Sequence, residues 1–500
     1  MRCHLTRPQS LTFVLAALSG IFLVLGTTGC SSSSITPYQP PAGEDFSTLS
    51  WTQAFDSLHA KISREYAFTD WKNIDWAGMK SQFRPAIVQA QANNDPDAYY
   101  IALRGYVHSI PDGHVSVTPD YPVVLTQNIG GGFGLTLAEL DNGQVVVTWI
   151  KDGGPAINAG ISVGAVILQW DGKAVSEAIT QTSIVFGPVA ATTARQRYER
   201  VRFLVRAPVG TDRIVTFINP NAAGSSAATL RAIDDNQESL TRTAMEGRKP
   251  QPGVPASVVQ KQILPGNIGY ISVMAEIDLP SSYLGDHTPT LTQFQTAMND
   301  FIDQQVKGII VDIRGNSGGS DQMAARFLGS FYENETLYEY QTWYNALTGM
   351  LELRLRDETG QQFVPNQAIY IVPEAKTFNG PVVGLVDNAC VSSGEGIALG
   401  IKNLPKGKVV GFYGTNGSFG MTGFGLIGGV AEMPGGFLVK WPIGQSLDHN
   451  MVIQLDSQNG IGGVLPNVRV PMTLDNAIRA ASGQDVVLEY GLLTLAGMLP

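Results

Sequence analysis

Val311-Asp312-Ile313-Arg314-Gly315-Asn316-Ser317-Gly318-Gly319 carries an apolar run into a glycine-rich corner, and a helical pattern over Gln322–Phe331 follows it. A short apolar run closed by glycine turn signals reads as a buried strand, here Gly308–Ile313. Asp387-Asn388-Ala389-Cys390-Val391-Ser392-Ser393-Gly394-Glu395 repeats the design between a strand candidate, Pro381–Val386, and a helix candidate, Gly394–Ile401. A third glycine corner spans Gly411 to Gly420. Ile268–Val273, Ala368–Val372 and Val409–Phe412 are further strand candidates, and Phe294–Gln305 a further helix. The alternation predicts an α/β domain over residues 257–480, with 481–500 left as a C-terminal tail. A nucleophile at a strand-to-helix corner gains the N–H groups that follow it and the helix dipole, which together can hold an oxyanion.

Upstream, residues 219–256 are rich in Asn, Ala, Ser, Gln and Pro and read as a connector. Before them the pattern has period two. Gly130-Gly131-Gly132-Phe133-Gly134-Leu135-Thr136-Leu137 leads into a strand, Val145–Ile150 is another, and Pro155-Ala156, Ala159-Gly160, Gly164 and Asp171-Gly172 mark later turns. Residues 128–218 thereby resemble a PDZ domain. The resemblance implies that Gly132, Phe133, Gly134 and Leu135 form a carboxylate-binding loop beside a sheet edge able to accept a peptide strand. Such a unit recruits a chain end or gates a cleft. The arginines of Thr192–Arg206 read as a solvated charged face. Residues 46–122 look helical: Trp51, Phe55, Leu58 and Ile62, then Tyr99, Leu103 and Val107, recur at helical spacing before the turn Pro111-Asp112-Gly113-His114. The expected fold class is a multidomain α/β chain, with a helical N-terminal segment, a PDZ-like β-rich domain and a C-terminal α/β core.

A length of 500 residues is consistent with roughly three domains. The 44% hydrophobic and 15% charged fractions exclude a mainly disordered chain. A net charge of −10 offers no basic surface for phosphates, so nucleic acid is not an expected partner. The 3 cysteines exclude a disulfide scaffold and a cysteine-based zinc site. No metal or organic cofactor is expected.

At the N-terminus Arg2 and Arg7 precede an apolar run, Leu11–Leu25, and then Gly26-Thr27-Thr28-Gly29-Cys30. This reads as a secretory signal over residues 1–29. Cys30 after small residues resembles the lipobox of bacterial lipoproteins, although Thr27 stands where Leu, Val or Ile is usual. The resemblance implies acylation of Cys30 and a flexible tether over residues 30–45. It places the chain in the bacterial cell envelope, lipid-anchored to a membrane on the periplasmic side, and Ser31 is compatible with outer-membrane sorting. A plain signal peptide with a coincidental cysteine is the alternative.

The order of these parts resembles the C-terminal processing peptidases and the tricorn core protease: a helical segment, Asp112-Gly113-His114, a PDZ-like unit, Asp312–Gly319, Ser392-Ser393-Gly394-Glu395, then Gly463-Val464-Leu465-Pro466-Asn467. The last motif has Asn where that family has Asp. The resemblance implies a crotonase-like peptidase core, a polypeptide substrate and an acyl-enzyme on Ser392. The N–H groups of Ser393 and of Gly318 or Gly319 would form the oxyanion hole. Family members that activate the serine with lysine carry it after Thr-x-Gly, and here Thr415-Asn416-Gly417 is followed by Ser418. The tricorn-like branch takes a histidine from before the PDZ unit, which implies His114 as general base. For the orienting carboxylate the sequence nominates Asp456.

Three alternatives compete. Ser393 could replace Ser392 as nucleophile. Gly315-Asn316-Ser317-Gly318-Gly319 also satisfies Gly-x-Ser-x-Gly, and Ser317, Asp387 and His449 have the chain order of an α/β-hydrolase esterase. Without the lysine and an in-register acid, the chain could instead be an inactive peptide-binding lipoprotein.

Overall fold

The strand Gly308–Asp312 lies third in a six-stranded sheet ordered Val259–Leu264, Ile268–Val273, Gly308–Asp312, Val382–Leu385, Gly407–Gly411, Val468–Arg469. The first pair is antiparallel and every later pair parallel. This is a computed structural model, and it describes residues 37–242, 258–278, 289–356, 362–423 and 428–499. The expected signal peptide and Cys30, and residues 243–256 of the expected connector, lie outside the described residues.

Alternate side chains of the parallel strands feed two separate cores. Ile309, Val311, Val382 and Val409 pack with Phe294, Phe301, Phe327 and Ile397 from the helices Thr290–Asp303, Asp321–Leu328 and Ser393–Asn403. Ile310, Val383, Leu385 and Val410 pack on the opposite face with Val486, Val487 and Leu495. Burial on both faces explains why these strands read as unbroken apolar runs. It also corrects the expected tail: residues 486–496 form a helix whose apolar side chains belong to the core.

A second, antiparallel sheet runs Phe363–Pro365, Met350–Arg356, Thr336–Asn345, Pro442–Leu447, Met421–Thr422, and Ala368–Ile371 pairs with its long central strand rather than joining the parallel sheet. Its residues Trp343, Trp441 and Ile443 share one core with Phe55, Leu58, Tyr99, Leu103 and Val107 of the N-terminal helices. Those helices are Trp51–Glu65, opened by a capping box between Ser50 and Gln53; Trp76–Asn93; and Pro96–His108, where Asp95 caps the N–H of Ala98. Glu44–Asp45, inside the stretch expected as tether, pairs with Ala431–Glu432, and Ser116–Thr118 pairs with Leu438–Lys440. The N-terminal segment is therefore knitted to residues late in the chain.

Residues 131–234 build a β-rich unit between these parts. Its six-stranded antiparallel sheet is ordered Ser226–Arg231, Asp212–Ile218, Val166–Trp170, Val145–Ile150, Leu135–Glu139, with Lys173–Ala174 paired to Val166–Trp170 off this path and Leu135–Glu139 at the edge beside the helix Thr193–Leu204. The expected connector thus contributes a strand, and Leu230 is fully buried in the unit's core.

Candidate active site

Ser392 ends the turn between the strand Val382–Leu385 and the helix Ser393–Asn403. Its backbone sits at φ 60° and ψ −136°, a region that costs a non-glycine residue about 1–3 kcal/mol. Three backbone bonds hold the turn there. Ser392 N donates to Ser418 O at 3.0 Å, Val391 N to Asn316 O at 3.0 Å, and Asn416 N to Cys390 O at 2.9 Å. The helix that starts here leaves its first N–H groups, those of Ser393 and Gly394, without intrahelical acceptors. Ser392 is half-buried, while Ser393 is fully buried and donates its Oγ to Glu276 at 2.8 Å. The Ser393 hydroxyl is therefore committed to structure.

The corner beginning at Gly315 closes over Ser392. A Cβ on Gly318 would lie 2.4 Å from Ser392 Cβ, so the two backbones approach as only glycine permits. The Gly318 N–H donates to Asn316 Oδ1 at 2.8 Å, and Asn316 in turn donates to Glu276 at 2.7 Å. That leaves Gly318 an occupied donor. Gly319 is exposed and lies alongside Glu276 in an isolated bridge.

The third corner is fixed by Glu395. Its carboxylate accepts from Thr415 Oγ1 at 2.5 Å, Gly417 N at 2.7 Å and Ser418 N at 2.9 Å. Burial pushes the Glu395 carboxyl up to about 7, and likewise that of Glu276. The sequence marked Glu395 only as a landmark, and gave no signal for Glu276.

Ser418 joins this corner to the segment before the β-rich unit. Its Oγ accepts the Gly113 N–H at 2.7 Å while its carbonyl holds the Ser392 N–H. His114 follows Gly113 directly, so one residue braces both the serine turn and the histidine loop. Asp112 Oδ1 accepts the His114 N–H at 2.9 Å and lies 3.6 Å from His114 Nδ1, which is buried and has no hydrogen bond among the described residues. Tyr66 donates to the other Asp112 oxygen at 2.8 Å. Burial opposes the Asp112 charge, but Lys72 and His114 outweigh it and hold the carboxyl below its ordinary range.

Asp456, nominated for the imidazole, is buried within electrostatic reach of His114, and among the described residues its Oδ1 has no hydrogen bond. It accepts the Phe419 N–H at 3.0 Å and lies 3.4 Å from Lys72 Nζ, which also donates to Ser457 Oγ at 2.9 Å and Pro111 O at 3.2 Å. Both members of this ion pair are buried. Burial pushes the Asp456 carboxyl up, Lys72 opposes that, and Asp112 adds to it. A carboxylate that lies against the imidazole, Asp112, is two residues away in sequence. The sequence did hold that signal, in Asp112-Gly113-His114.

Two further side chains escaped the sequence reading. Among the described residues neither amide atom of buried Asn388 has a hydrogen-bond partner, and Asn416 Oδ1 has none either. Both residues flank the serine turn.

The esterase alternative is not assembled. Ser317 is exposed, with its Oγ 3.5 Å from Met274 O. Asp387 Oδ1 caps its own turn by accepting from Gly315, Ala389 and Cys390 N–H groups. His449 is exposed and hydrogen-bonds neither of them among the described residues. Cys390 is buried, and burial pushes its thiol well up.

The residues nominated for peptide binding lie in the β-rich unit. Gly132 pairs with Ile233 on one side and Arg206 on the other, above a buried Arg206–Asp235 ion pair. Phe133 is fully buried, and Leu135 opens the edge strand. Gly132 is therefore part of a ladder rather than an open loop. Between the edge strand and the helix Thr193–Leu204 a groove of about 200 Å³ remains, crossed by a bidentate Arg197–Glu139 ion pair and lined in part by Tyr413.

Comparison with known proteins adds one decisive match: residues 267–470 fit the model of peptidase family S41. The chain carries a peptidase family S41 domain. All three glycine corners lie inside it. Mature CPAF complexed with lactacystin is similar at 14% identity, covering 90% of this chain and 99% of that one, with a TM-score of 0.59. Mature CPAF without that ligand gives 13% identity, 90% and 98% coverage and a TM-score of 0.56. At such identities the likeness is one of fold, and it extends beyond the S41 domain over most of both chains. No curated protein matches by sequence.

Proposed function

We propose that this protein is a serine endopeptidase that cleaves polypeptides through an acyl-enzyme on Ser392, with His114 as general base. The observation that carries the reading is Ser418, which holds the strained Ser392 turn and the His114 loop together. In this mechanism the imidazole takes the Ser392 proton as Oγ attacks the scissile carbonyl. The N–H groups of Ser393 and Gly319 receive the oxyanion, and Gly318 serves by its close approach because its own N–H is given to Asn316. His114 returns the proton to the leaving amine, and water then hydrolyses the ester. Asp112 stabilises the imidazolium, while the Lys72–Asp456 pair fixes the loop from behind.

The core is read as crotonase-like and the β-rich unit as PDZ-like, recruiting a chain end or gating the cleft. Its helix start supports gating, since Thr193 N donates to Gly460 O at 2.8 Å beside the third corner. Lipid anchoring through Cys30 in a bacterial envelope completes the proposal. The test is fluorophosphonate labelling of wild type, Ser392→Ala and His114→Ala. Wild type should label, Ser392→Ala should not, and His114→Ala should label far more slowly. A wild type that neither labels nor cleaves casein, yet binds peptides, would establish the inactive binding protein instead.

A further inference from the structure

A cleft of about 870 Å³ opens between the helices Trp76–Asn93 and Pro96–His108 on one side and residues 182–190 with the helix Thr193–Leu204 on the other. Phe83, Ile101, Ala102, Ile184, Val185 and Val189 supply apolar walls. Among the described lining residues there is no carboxylate, while Arg200 and His108 both face the cleft as lining residues. Among the described residues each keeps a buried nitrogen without a hydrogen bond, Nε in Arg200 and Nδ1 in His108. Arg200 spends Nη1 on Thr180 O at 2.6 Å, so it is held in place with a donor left over. Arg104, the neighbouring cation, is already used: it donates to Val185 O at 2.7 Å, Tyr100 Oη at 3.0 Å and Asp120 at 2.7 Å. Burial, together with Arg104, pushes His108 down to about 3, so its ring is neutral and offers one N–H.

Ligand sites are concave, mostly apolar and finished by a few placed polar groups, in volumes of roughly 300–1,000 Å³. This cleft has that composition, and a lining guanidinium, Arg200, with no carboxylate among the described lining residues selects the sign of the ligand. We infer that it binds a small amphipathic carboxylate, with the apolar body against Phe83, Ile101 and Ile184 and the carboxylate on Arg200 and His108. The site is separate from the serine turn. Its walls nevertheless include Pro111, next to Asp112, and the helix whose start leans on Gly460. An occupant would therefore brace two elements that support the proposed catalytic loop.

The same chemistry could come from a free fatty acid or from the apolar C-terminus of a polypeptide, so both are probed. Calorimetric titration of the full chain uses decanoate, N-acetyl-Leu-Leu and, as a neutral control, decan-1-ol. Saturable binding of either acid is expected, and the tighter of the two names the source. Arg200→Gln should weaken the acid roughly tenfold or more, as loss of a charge-assisted hydrogen bond does, and leave decan-1-ol unchanged. Ala86→Trp, at an exposed lining position, should weaken acid and alcohol together. Absence of saturable binding to wild type overturns the inference, as does an acid affinity indifferent to both substitutions. Neither result bears on whether Ser392 labels.

Discussion

Gly318→Ala isolates the approach of the two glycine corners. Gly318 has φ +77°, and an added Cβ meets Ser392 Cβ at 2.4 Å, Ser392 Oγ at 3.0 Å and Val391 O at 3.0 Å. Carbon atoms rest about 3.5–4.0 Å apart, so the serine turn must retreat by about 1 Å. The left-handed backbone alone costs an L-residue about 1–2 kcal/mol. Gly143→Ala supplies the control, because Gly143 has φ +81° with nothing within 4 Å of the new atom. Both variants should lose stability to backbone strain, and Gly318→Ala should lose more because its new Cβ also clashes with the serine turn. Only Gly318→Ala should also lose reactivity, by about 100-fold, the order expected when a reacting group moves by 1 Å. The assay is the rate of fluorophosphonate labelling beside a thermal melt of each variant. If Gly318→Ala labels at the wild-type rate and melts with Gly143→Ala, the close approach has no part in placing Ser392.

Asp112→Asn should lower the labelling rate by roughly 100-fold or more, and Asp456→Asn by less, because Asp112 is the carboxylate 3.6 Å from the imidazole; labelling rates across pH distinguish the two, and the opposite ranking would restore Asp456 to that role. Lys72→Met should destabilise the chain by about 3–5 kcal/mol by leaving buried Asp456 without its cation, read by denaturant unfolding, and a loss within 1 kcal/mol would refute the pairing. Stability should also fall as pH rises through neutrality. Glu276 and Glu395 have folded values of about 7, above the unfolded range, so their contribution is complete below about pH 4 and is lost as pH climbs through 7. Glu395→Gln should flatten that slope in melts between pH 5 and 8, and an unchanged slope would place the titration elsewhere.

Much of the fold is written in local pattern. The parallel strands are apolar on both faces because each face meets a core, and the corners between them announce themselves through glycine. What stayed hidden had ambiguous local patterns. The helix Val486–Ala496 is apolar around most of its circumference, so it shows no amphipathic stripe until its partners, Leu385 and Val410, are known. The strand Ser226–Arg231 has one fully buried residue, Leu230, among exposed and half-buried ones, and composition made it look like a linker.

The sequence by itself determined the α/β core, its three glycine corners and the candidacy of Ser392, since these follow from burial period and backbone conformation within a few residues. Only the tertiary structure decided which groups meet there. Ser418 touches Gly113 across 305 positions, and Lys72 reaches Ser457 across 385. Such contacts leave no local trace, because they are selected by the packing of whole elements. Asp112 is set 3.6 Å from the imidazole by the loop's own turn, whereas Asp456 comes within electrostatic reach of it, and pairs with Lys72, only through the packing of distant segments.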